Sequence, residues 1–251
     1  MNLHKQILTQ NDCYNAGRKI TPSGIIVHST GANNPYIKRY VQPDDGLLGA
    51  NGNGNDWNHP NIKKCVHAMM GLTQDGAIAT YQTLPWNHRC WGCGSGKNGS
   101  YNNSHIQFEI CEDGLSDGAY FAAVYNEAVD LCAFLCKEYG IDPGNVVCHS
   151  EAHDMGFASG HADVMHWFPI HGKNMDMFRA EVKARLEDDN MTGEEIYAKL
   201  NEYLKDLPAP AWAQAELQEA AALGITDGTR PMQLIPRYQA AIMAKRAAEK
   251  K

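Results

Sequence analysis

Histidines and acidic residues are concentrated in residues 145–168, NVVCHSEAHDMGFASGHADVMHWF, which contain four of the eleven histidines in the chain. His149 directly follows the apolar run Val146–Cys148, which is typical of a buried strand end. A second run of β-branched residues leads into His28 in GIIVHST, residues 24–30. Metal sites need neutral imidazoles and carboxylates on stiff backbone, and strand ends provide that stiffness. Two strand-borne histidines with one carboxylate therefore predict an open catalytic zinc site.

Periodicity identifies the elements that would position these residues. Apolar and polar side chains alternate over residues 104–111, as in a half-buried strand, and this places Glu109 on the polar face towards the predicted site. An apolar stripe at helical spacing predicts a helix over residues 117–139, and a further helix is predicted over residues 174–186, after Gly172 and Lys173. An Asp-Gly pair at residues 75–76 predicts a β-hairpin. Strands mixed with helices predict an α/β domain with a central sheet.

Two segments lack such periodicity. Residues 31–61 are rich in Gly, Asn, Pro and Asp, which predicts a long surface loop with one short helix near residues 36–41. Long loops in compact domains are often functional, and NGNGN at residues 51–55 is interpreted equally well as part of a groove or as an inert insertion. Residues 7–17 are predicted to form a polar arm or a short helix.

Composition excludes several classes of protein. With 251 residues and 43% hydrophobic content, the chain can bury a full core in one or two domains. Its net charge of -7 argues against a nucleic-acid partner, which usually requires a basic surface. The N-terminus lacks the apolar segment of a signal peptide, and nowhere do about eighteen apolar residues run together. We therefore expect neither a secretion signal nor membrane insertion.

Eight cysteines do not imply a disulfide framework in a chain of this length. The cysteines at positions 111, 132, 136 and 148 lie in apolar settings, so reduced core thiols are expected there. CWGC at residues 90–93 is a lone CxxC. Plain thiols or a local disulfide are favoured there over a structural metal, because no second pair of cysteines accompanies it.

The character of the chain changes at the charged segment of residues 187–192. It predicts a boundary between a catalytic domain, residues 1–187, and a helical module, residues 188–251. Within the module, helices are expected over residues 194–204, before a stop at Gly224, and from about residue 236 onwards.

The order of the motifs resembles a known family. The motifs are GIIVHST, HAMMGLTQDG, Trp91 in a loop, Asn103 before SHIQFEI, CHSEAH and HADVMHWFP. Over roughly residues 20–186 the chain is similar to the zinc-dependent N-acetylmuramoyl-L-alanine amidases of the type-2 family. That family shares its fold with the peptidoglycan recognition proteins and with phage lysins. The resemblance implies a mixed central sheet flanked by helices, a Zn²⁺ cofactor and a peptidoglycan substrate.

The resemblance also assigns metal ligands. It puts them at His28, His149 and Asp163, the last lying fourteen residues beyond the second histidine. His161 and His166 remain rivals of Asp163 for the third position.

Further roles follow from the same resemblance. Glu109 matches the glutamate that activates water, and His67, Trp91 and Asn103 match positions near the substrate. His161 stands where the family often has a lysine that stabilises the oxyanion, which is a departure from the family pattern. An imidazole can supply the same hydrogen bond.

The expected activity is hydrolysis of the amide between the lactyl group of N-acetylmuramic acid and L-alanine. Two alternatives remain open, a peptidoglycan-binding protein without catalysis and a zinc peptidase that cuts within the stem peptide. An intact set of three ligands argues against the first, since a binding protein does not need them.

The helical module carries a second, weaker resemblance. Residues 212–231, WAQAELQEAAALGITDGTRP, look like part of one surface-layer homology repeat. The module is therefore predicted either to bind a secondary cell-wall polymer or to serve in dimerisation. Because no signal peptide is evident, the expected setting is a phage or prophage lysin that reaches the wall by a holin-type route.

Overall fold

The computed structural model describes residues 1–189 and 191–249. The chain divides into two compact units, an N-terminal unit, Met1–Asp188, and a C-terminal unit, Asp189–Lys251.

The N-terminal unit is built on a six-stranded sheet. Its strands are β1 (Leu3–Lys5), β2 (Gly24–Asn33), β3 (Ala68–Leu72), β4 (Ile78–Gln82), β5 (His105–Glu112) and β6 (Val146–Cys148). They lie in the order β1-β4-β3-β5-β2-β6, in which β3 and β4 are antiparallel and all other neighbours are parallel. The predicted mixed sheet is confirmed.

Four helices accompany the sheet: α1 (Asp12–Asn15), α2 (Gly118–Tyr139), α3 (His149–Asp154) and α4 (Met175–Asp189). The Asp117 carboxylate accepts hydrogen bonds from the first backbone N–H groups of α2, and Gly140 ends the helix with a φ of 65°. The helix predicted over residues 117–139 is thus confirmed, and the one predicted over residues 174–186 extends further, to residue 189.

The two faces of the sheet have different roles because side chains alternate along each strand. One face packs with α2 and α4 into the main core through Val27, Ile106, Phe108 and other apolar residues. The opposite face presents the polar side chains of β2 and β5. Among the described helices only α2 is long and apolar enough to cross a bilayer, and most of it is buried in this core.

The segment of residues 31–61, whose first residues belong to the end of β2, differs from its prediction as a surface loop. Ile37, Val41 and Leu48 are fully buried and pack with Met69 and Tyr81 in a second core cluster. The loop contains a single 3-10 turn, Ile37–Arg39, near the predicted short helix. Its apolar residues are irregularly spaced, so neither strand nor helix periodicity indicates that they are buried.

The short helix that was one of the two predictions for residues 7–17 is confirmed as α1, and a strand that was not predicted precedes it. β1 pairs in parallel with β4, and the four-residue α1 follows it. A strand of three residues is too short to show alternation.

All eight cysteines are buried and free. The reduced core thiols predicted at positions 111, 132, 136 and 148 are therefore confirmed, and Cys90 and Cys93 also form no disulfide.

The C-terminal unit is helical. It contains α5 (Gly193–Leu204), α6 (Gln214–Ala222) and α7 (Arg237–Glu249). Thr192 and Glu195 form a capping box that fixes the start of α5. Ala209 is the one buried side chain among the residues described in this unit.

Candidate metal centre

His28 and His149 emerge at the same edge of the sheet. β2 and β6 are parallel neighbours in which Val27 pairs with Cys148, so the next residue of each strand lies side by side. His149 is also the first residue of α3, which begins where β6 ends. Their ring centroids are 4.8 Å apart. Asp163 comes from the segment after α3 and is tied to that helix by a hydrogen bond from Ser150 N to Asp163 O.

Three potential ligand atoms converge at this edge. His28 Nδ1 lies 3.0 Å from His149 Nδ1 and 3.0 Å from Asp163 Oδ2. His149 Nδ1 lies 3.5 Å from the same carboxylate oxygen. Ligands about 2.1 Å from a tetrahedral ion are themselves separated by about 3.4 Å, so the observed spacing suits a single zinc ion. All three side chains are buried.

The tautomer of His149 follows from its other ring nitrogen. His149 Nε2 lies 3.0 Å from the carbonyl oxygen of Ser159. A carbonyl oxygen only accepts hydrogen bonds, so Nε2 carries the proton and Nδ1 presents its lone pair to the centre.

The tautomer of His28 is fixed by a series of hydrogen bonds through Asn102 and Gln107. Asn102 Oδ1 accepts hydrogen bonds from the backbone N–H groups of Gly92 and Cys93 at 3.1 and 3.2 Å. Gln107 Nε2 donates to the same oxygen at 3.0 Å, which turns Gln107 Oε1 towards His28 Nε2, also at 3.0 Å. Because that oxygen accepts, His28 Nε2 carries the proton and Nδ1 presents its lone pair.

The Asp163 carboxylate completes a donor set of two neutral imidazoles and one anion. Burial acts to raise the pKa of Asp163, but hydrogen bonds from His149 and His28, when these rings are protonated, outweigh burial and hold that pKa well below its usual range; a metal ion would take the place of those Nδ1 protons. The carboxylate is thus ionised at neutral pH. Two imidazoles with one carboxylate are a ligand set of the kind found in open catalytic zinc sites, where a fourth position is left for water or substrate.

Glu109 lies next to this group in the sheet, since it is the register partner of His28. Its Oε2 atom is buried and makes no hydrogen bond with the described residues. Burial, followed by the charges of Asp163 and Glu112, raises the pKa of Glu109 well above its usual value. A carboxyl group with a raised pKa binds a proton more readily than an ordinary surface carboxylate does.

His161 and His166, the alternatives to Asp163 as the third ligand, lie outside the group of converging atoms. His161 is exposed, and its ring centroid lies 4.7 Å from that of His149. His166 Nε2 is 3.0 Å from Glu112 Oε1. Neither belongs to the group of converging atoms, which consists of His28, His149 and Asp163.

Trp91 and Asn103 lie together at the surface. Trp91 is 50% exposed, and the Arg89 guanidinium lies over its ring at 5.5 Å. Arg89 Nε donates to Asn103 Oδ1 at 2.7 Å. Both side chains are accessible to a ligand, and their predicted contacts with substrate remain predictions.

His67 is fully buried. Its Nδ1 accepts a hydrogen bond from Gln107 N at 3.0 Å, and its Nε2 donates to His88 O at 2.8 Å. Burial lowers the pKa of His67 to about 4, so the ring is neutral. With both nitrogens bound to backbone, His67 supports β5 from inside, and this geometry gives no support to its predicted contact with substrate.

Sequence reasoning missed the residues that hold the two histidines. Gln107 could have been found, because it lies on the polar face of β5 two residues before Glu109. Asn102 and Ser159 carry no such signal. A cavity of about 420 Å³ is lined by Ser159, His153 and their neighbours, and by none of the three converging side chains.

Comparison with known proteins identifies a family for this chain. Residues 17–164 match the profile of a family described as N-acetylmuramoyl-L-alanine amidase. The N-acetylmuramoyl-L-alanine amidase CwlH of Bacillus subtilis (strain 168) is 28% identical over 156 residues, which are 60% of this chain and 53% of CwlH. The chain therefore spans about half the length of this curated relative.

Solved structures show the same fold. A mutant of PlyL has a TM-score of 0.52 at 23% identity, with 73% of this chain and 99% of that chain covered. The Staphylococcus aureus hydrolase AmiA in complex with its ligand has a TM-score of 0.53 at 21% identity, with coverages of 75% and 85%. The matched family profile spans more than half of the sequence and includes His28, His149 and Asp163, and the chain belongs to the N-acetylmuramoyl-L-alanine amidase family.

Proposed function

We propose that the chain hydrolyses the amide between the lactyl group of N-acetylmuramic acid and L-alanine of the peptidoglycan stem peptide, with zinc bound by His28, His149 and Asp163. One observation carries most of the support. Both imidazoles have Nε2 bound to an acceptor, so two Nδ1 lone pairs and one ionised carboxylate oxygen converge within 3.5 Å. Such a group is stable when a cation lies between its members.

Glu109 is the proposed proton carrier. Bound zinc would supply Lewis acidity at the amide carbonyl and lower the pKa of water towards about 7. Glu109 would take a proton from the attacking water and return it to the amide nitrogen as the C–N bond breaks. Its raised pKa suits the first step, because a carboxylate with a raised pKa is a stronger base.

His161 is the proposed donor to the oxyanion, in place of the lysine that the family often has. It is exposed beside His149, where a carbonyl oxygen of the substrate can approach it. Trp91 and Asn103 are proposed to contact the glycan or the stem peptide.

Two other functions share parts of this site. A zinc peptidase that cuts within the stem peptide would use the same ligands, and a binding protein without catalysis would use the fold alone. For the C-terminal unit we propose binding to a secondary cell-wall polymer, with dimerisation as the alternative. The proposed place of action is the bacterial wall, in a phage or prophage lysin setting.

The test is digestion of purified cell walls by the full chain, with and without a chelator, followed by mass spectrometry of the new ends. We expect intact stem peptides with free L-alanine amino groups, and loss of this product with chelator and in His149→Ala. His153→Ala is the matched control, because it removes an exposed histidine from the same helix.

Other products identify the other functions. New ends inside the stem peptide would indicate the peptidase, and no new ends would indicate the binding protein. Cleavage that persists with chelator would contradict the zinc proposal.

A further inference from the structure

A second cavity, of about 510 Å³, lies in the N-terminal unit away from the metal ligands. Lys63, Arg89 and Trp91 line it together with residues of α1 and the segment that follows. Arg89 N donates to Arg18 O at 2.8 Å, and Cys13 Sγ donates to Lys63 O at 2.8 Å. These bonds join the walls of the cavity, whose volume is in the range of small-ligand sites.

The cavity is positively charged although the protein is acidic. Arg18, Lys63 and Arg89 line it with one carboxylate, Asp12, which already accepts a hydrogen bond from Asn61 N at 3.0 Å. The charged groups of Arg18 and Lys63 form no ion pair or hydrogen bond with the residues that the structure describes. A chain of net charge -7 thus leaves two cations of this cavity available for an anionic ligand.

Trp91 adds an apolar surface to these cations. Its side chain is 50% exposed, and Arg89, which lies over its ring, is itself held by Asn103. An indole ring fixed in this way offers a flat face to the C–H groups of a sugar ring. The combination of a flat apolar face with free cations selects a ligand that has both a ring and a negative charge.

We propose that this cavity binds a sugar that carries a carboxylate, namely the N-acetylmuramoyl unit of a glycan from which the stem peptide has been removed. The carboxylate pairs with Arg18 and Lys63, and the sugar ring stacks on Trp91. The identity of the ligand rests on the proposed function. Hydrolysis breaks the C–N bond of the lactyl amide, and water supplies the oxygen of a new carboxylate and a proton of the new amine.

The reaction itself would therefore create the ligand. A neutral lactyl amide becomes an anion at each turnover, and the cavity distinguishes the two by charge. The consequence is retention of the protein on glycan that it has already stripped.

The test is a titration of the full chain with three small molecules, followed through the indole N–H signals in nitrogen-15 NMR spectra. The signal of Trp91 is identified by its loss in Trp91→Phe. N-acetylmuramic acid has both ring and carboxylate, N-acetylglucosamine has the ring alone, and glycerol 3-phosphate has an anion without the ring. We expect N-acetylmuramic acid to shift the Trp91 signal with a Kd at least about tenfold lower than that of either other compound.

Variants of the residues that line the cavity test whether N-acetylmuramic acid binds there. Arg18→Gln and Lys63→Gln should each raise the Kd of N-acetylmuramic acid by about tenfold. Lys183→Gln on α4 removes one charge from outside the cavity and should leave the Kd of N-acetylmuramic acid unchanged. The proposal is overturned if N-acetylglucosamine or glycerol 3-phosphate binds as tightly as N-acetylmuramic acid. It is also overturned if Lys183→Gln raises the Kd as much as Arg18→Gln and Lys63→Gln do.

The two proposals fail in different ways. Wall cleavage without binding of N-acetylmuramic acid contradicts this inference and leaves the amidase proposal intact. Binding of N-acetylmuramic acid without wall cleavage contradicts the amidase proposal, while the cavity remains a site for a carboxylated sugar.

Discussion

The orientation of His28 depends on two backbone N–H groups that lie outside the candidate metal centre. Gly92 and Cys93 orient the amide of Asn102, Asn102 orients Gln107, and Gln107 fixes the ring of His28. Partners of this kind commonly contribute about 10- to 100-fold to the metal affinity of a site. The Asn102–Gln107 pair therefore determines whether Nδ1 of His28 is available to a metal.

Replacing Gln107 tests this dependence. In Gln107→Met the side chain keeps its length but loses the acceptor for His28 Nε2, so the ring can rotate or change tautomer. We expect zinc affinity to fall about 10- to 100-fold, measured by competition with a chromophoric chelator. Gln82→Met is the matched control, because Gln82 is a buried glutamine of the same sheet that bonds to Leu84 O. Equal zinc affinity in the two variants would contradict the role of Gln107.

Glu109 is predicted to affect turnover and not metal binding. Glu109→Gln keeps the shape of the side chain but removes its ability to take a proton. Release of stem peptide should fall by about 10²- to 10⁴-fold while zinc affinity stays within a few-fold of wild type. Glu138→Gln makes the same change at an exposed position on α2 and should have no effect. Wild-type turnover in Glu109→Gln would assign the base to another group.

The sequence predicts the converging residues better than the residues that support them. His28 and His149 each follow a short β-branched or apolar run, and this local pattern places them at strand ends. Asn102 and Gln107 act through contacts made when the segment around residues 92–93 packs over β5. Such contacts depend on long-range packing, which periodicity does not report.

At the scale of elements, the loop of residues 31–61 shows that irregularly spaced buried residues are equally hard to predict from sequence. Its composition predicts a solvent-exposed segment, but its apolar side chains fill a second core against β3 and β4. The strands and α2 were predictable because their apolar residues repeat every two residues or with helical spacing. The apolar residues of the loop do not repeat at regular spacing, so the sequence did not predict which of them are buried.

Two adjacent leucines test whether this loop is part of the core. Leu48 is fully buried, whereas Leu47 is 44% exposed. Leu48→Ala should lower the free energy of unfolding by about 2–5 kcal/mol, because it leaves a cavity in the packed cluster. Leu47→Ala should change it by no more than about 0.5 kcal/mol. Urea denaturation measures both, and similar values for the two variants would show that the loop packs loosely.

The start of β5 is predicted to make the protein sensitive to acid. His105 is buried, its ring stacks on Tyr101 at 3.8 Å, and burial lowers its pKa to about 4. Between pH 6.5 and pH 4 the unfolded chain therefore binds more protons at this residue than the folded chain does. The resulting stability is present above pH 6.5 and is lost as the pH falls, by up to about 3 kcal/mol near pH 4.

Replacing His105 should weaken the dependence of stability on pH. His105→Phe keeps the ring stacked on Tyr101 and removes the titrating group, so the decrease in the urea midpoint from pH 7 to pH 4.5 should be smaller than in wild type. His153→Gln removes an exposed histidine and serves as the control. An unchanged slope in His105→Phe would assign the acid sensitivity to other groups.

At the scale of the whole molecule, the two units differ in how many of their side chains are buried. The N-terminal unit contains several clusters of buried side chains together with all three converging ligands. The C-terminal unit has exposed apolar residues on or directly beside its helices, such as Tyr203 on α5, Leu223 just after α6 and Tyr238 on α7, and Ala209 alone is buried among its described residues. Stability and chemistry are thus expected to belong to the N-terminal unit, and surface contacts to the C-terminal unit.

Truncation at the boundary separates these contributions. A chain that ends at Asp188 keeps every cluster of the main core, so we expect it to fold with near wild-type stability, bind zinc with unchanged affinity and cleave soluble muramoyl peptides at the rate of the full chain. If the C-terminal unit binds a wall polymer, the truncated chain should no longer sediment with insoluble walls, and its rate on them should fall while its rate on soluble substrate does not. If that unit instead forms dimers, the truncation should halve the mass in solution measured by light scattering and leave wall sedimentation unchanged. Failure of the truncated chain to fold or to bind zinc would contradict the independence of the N-terminal unit.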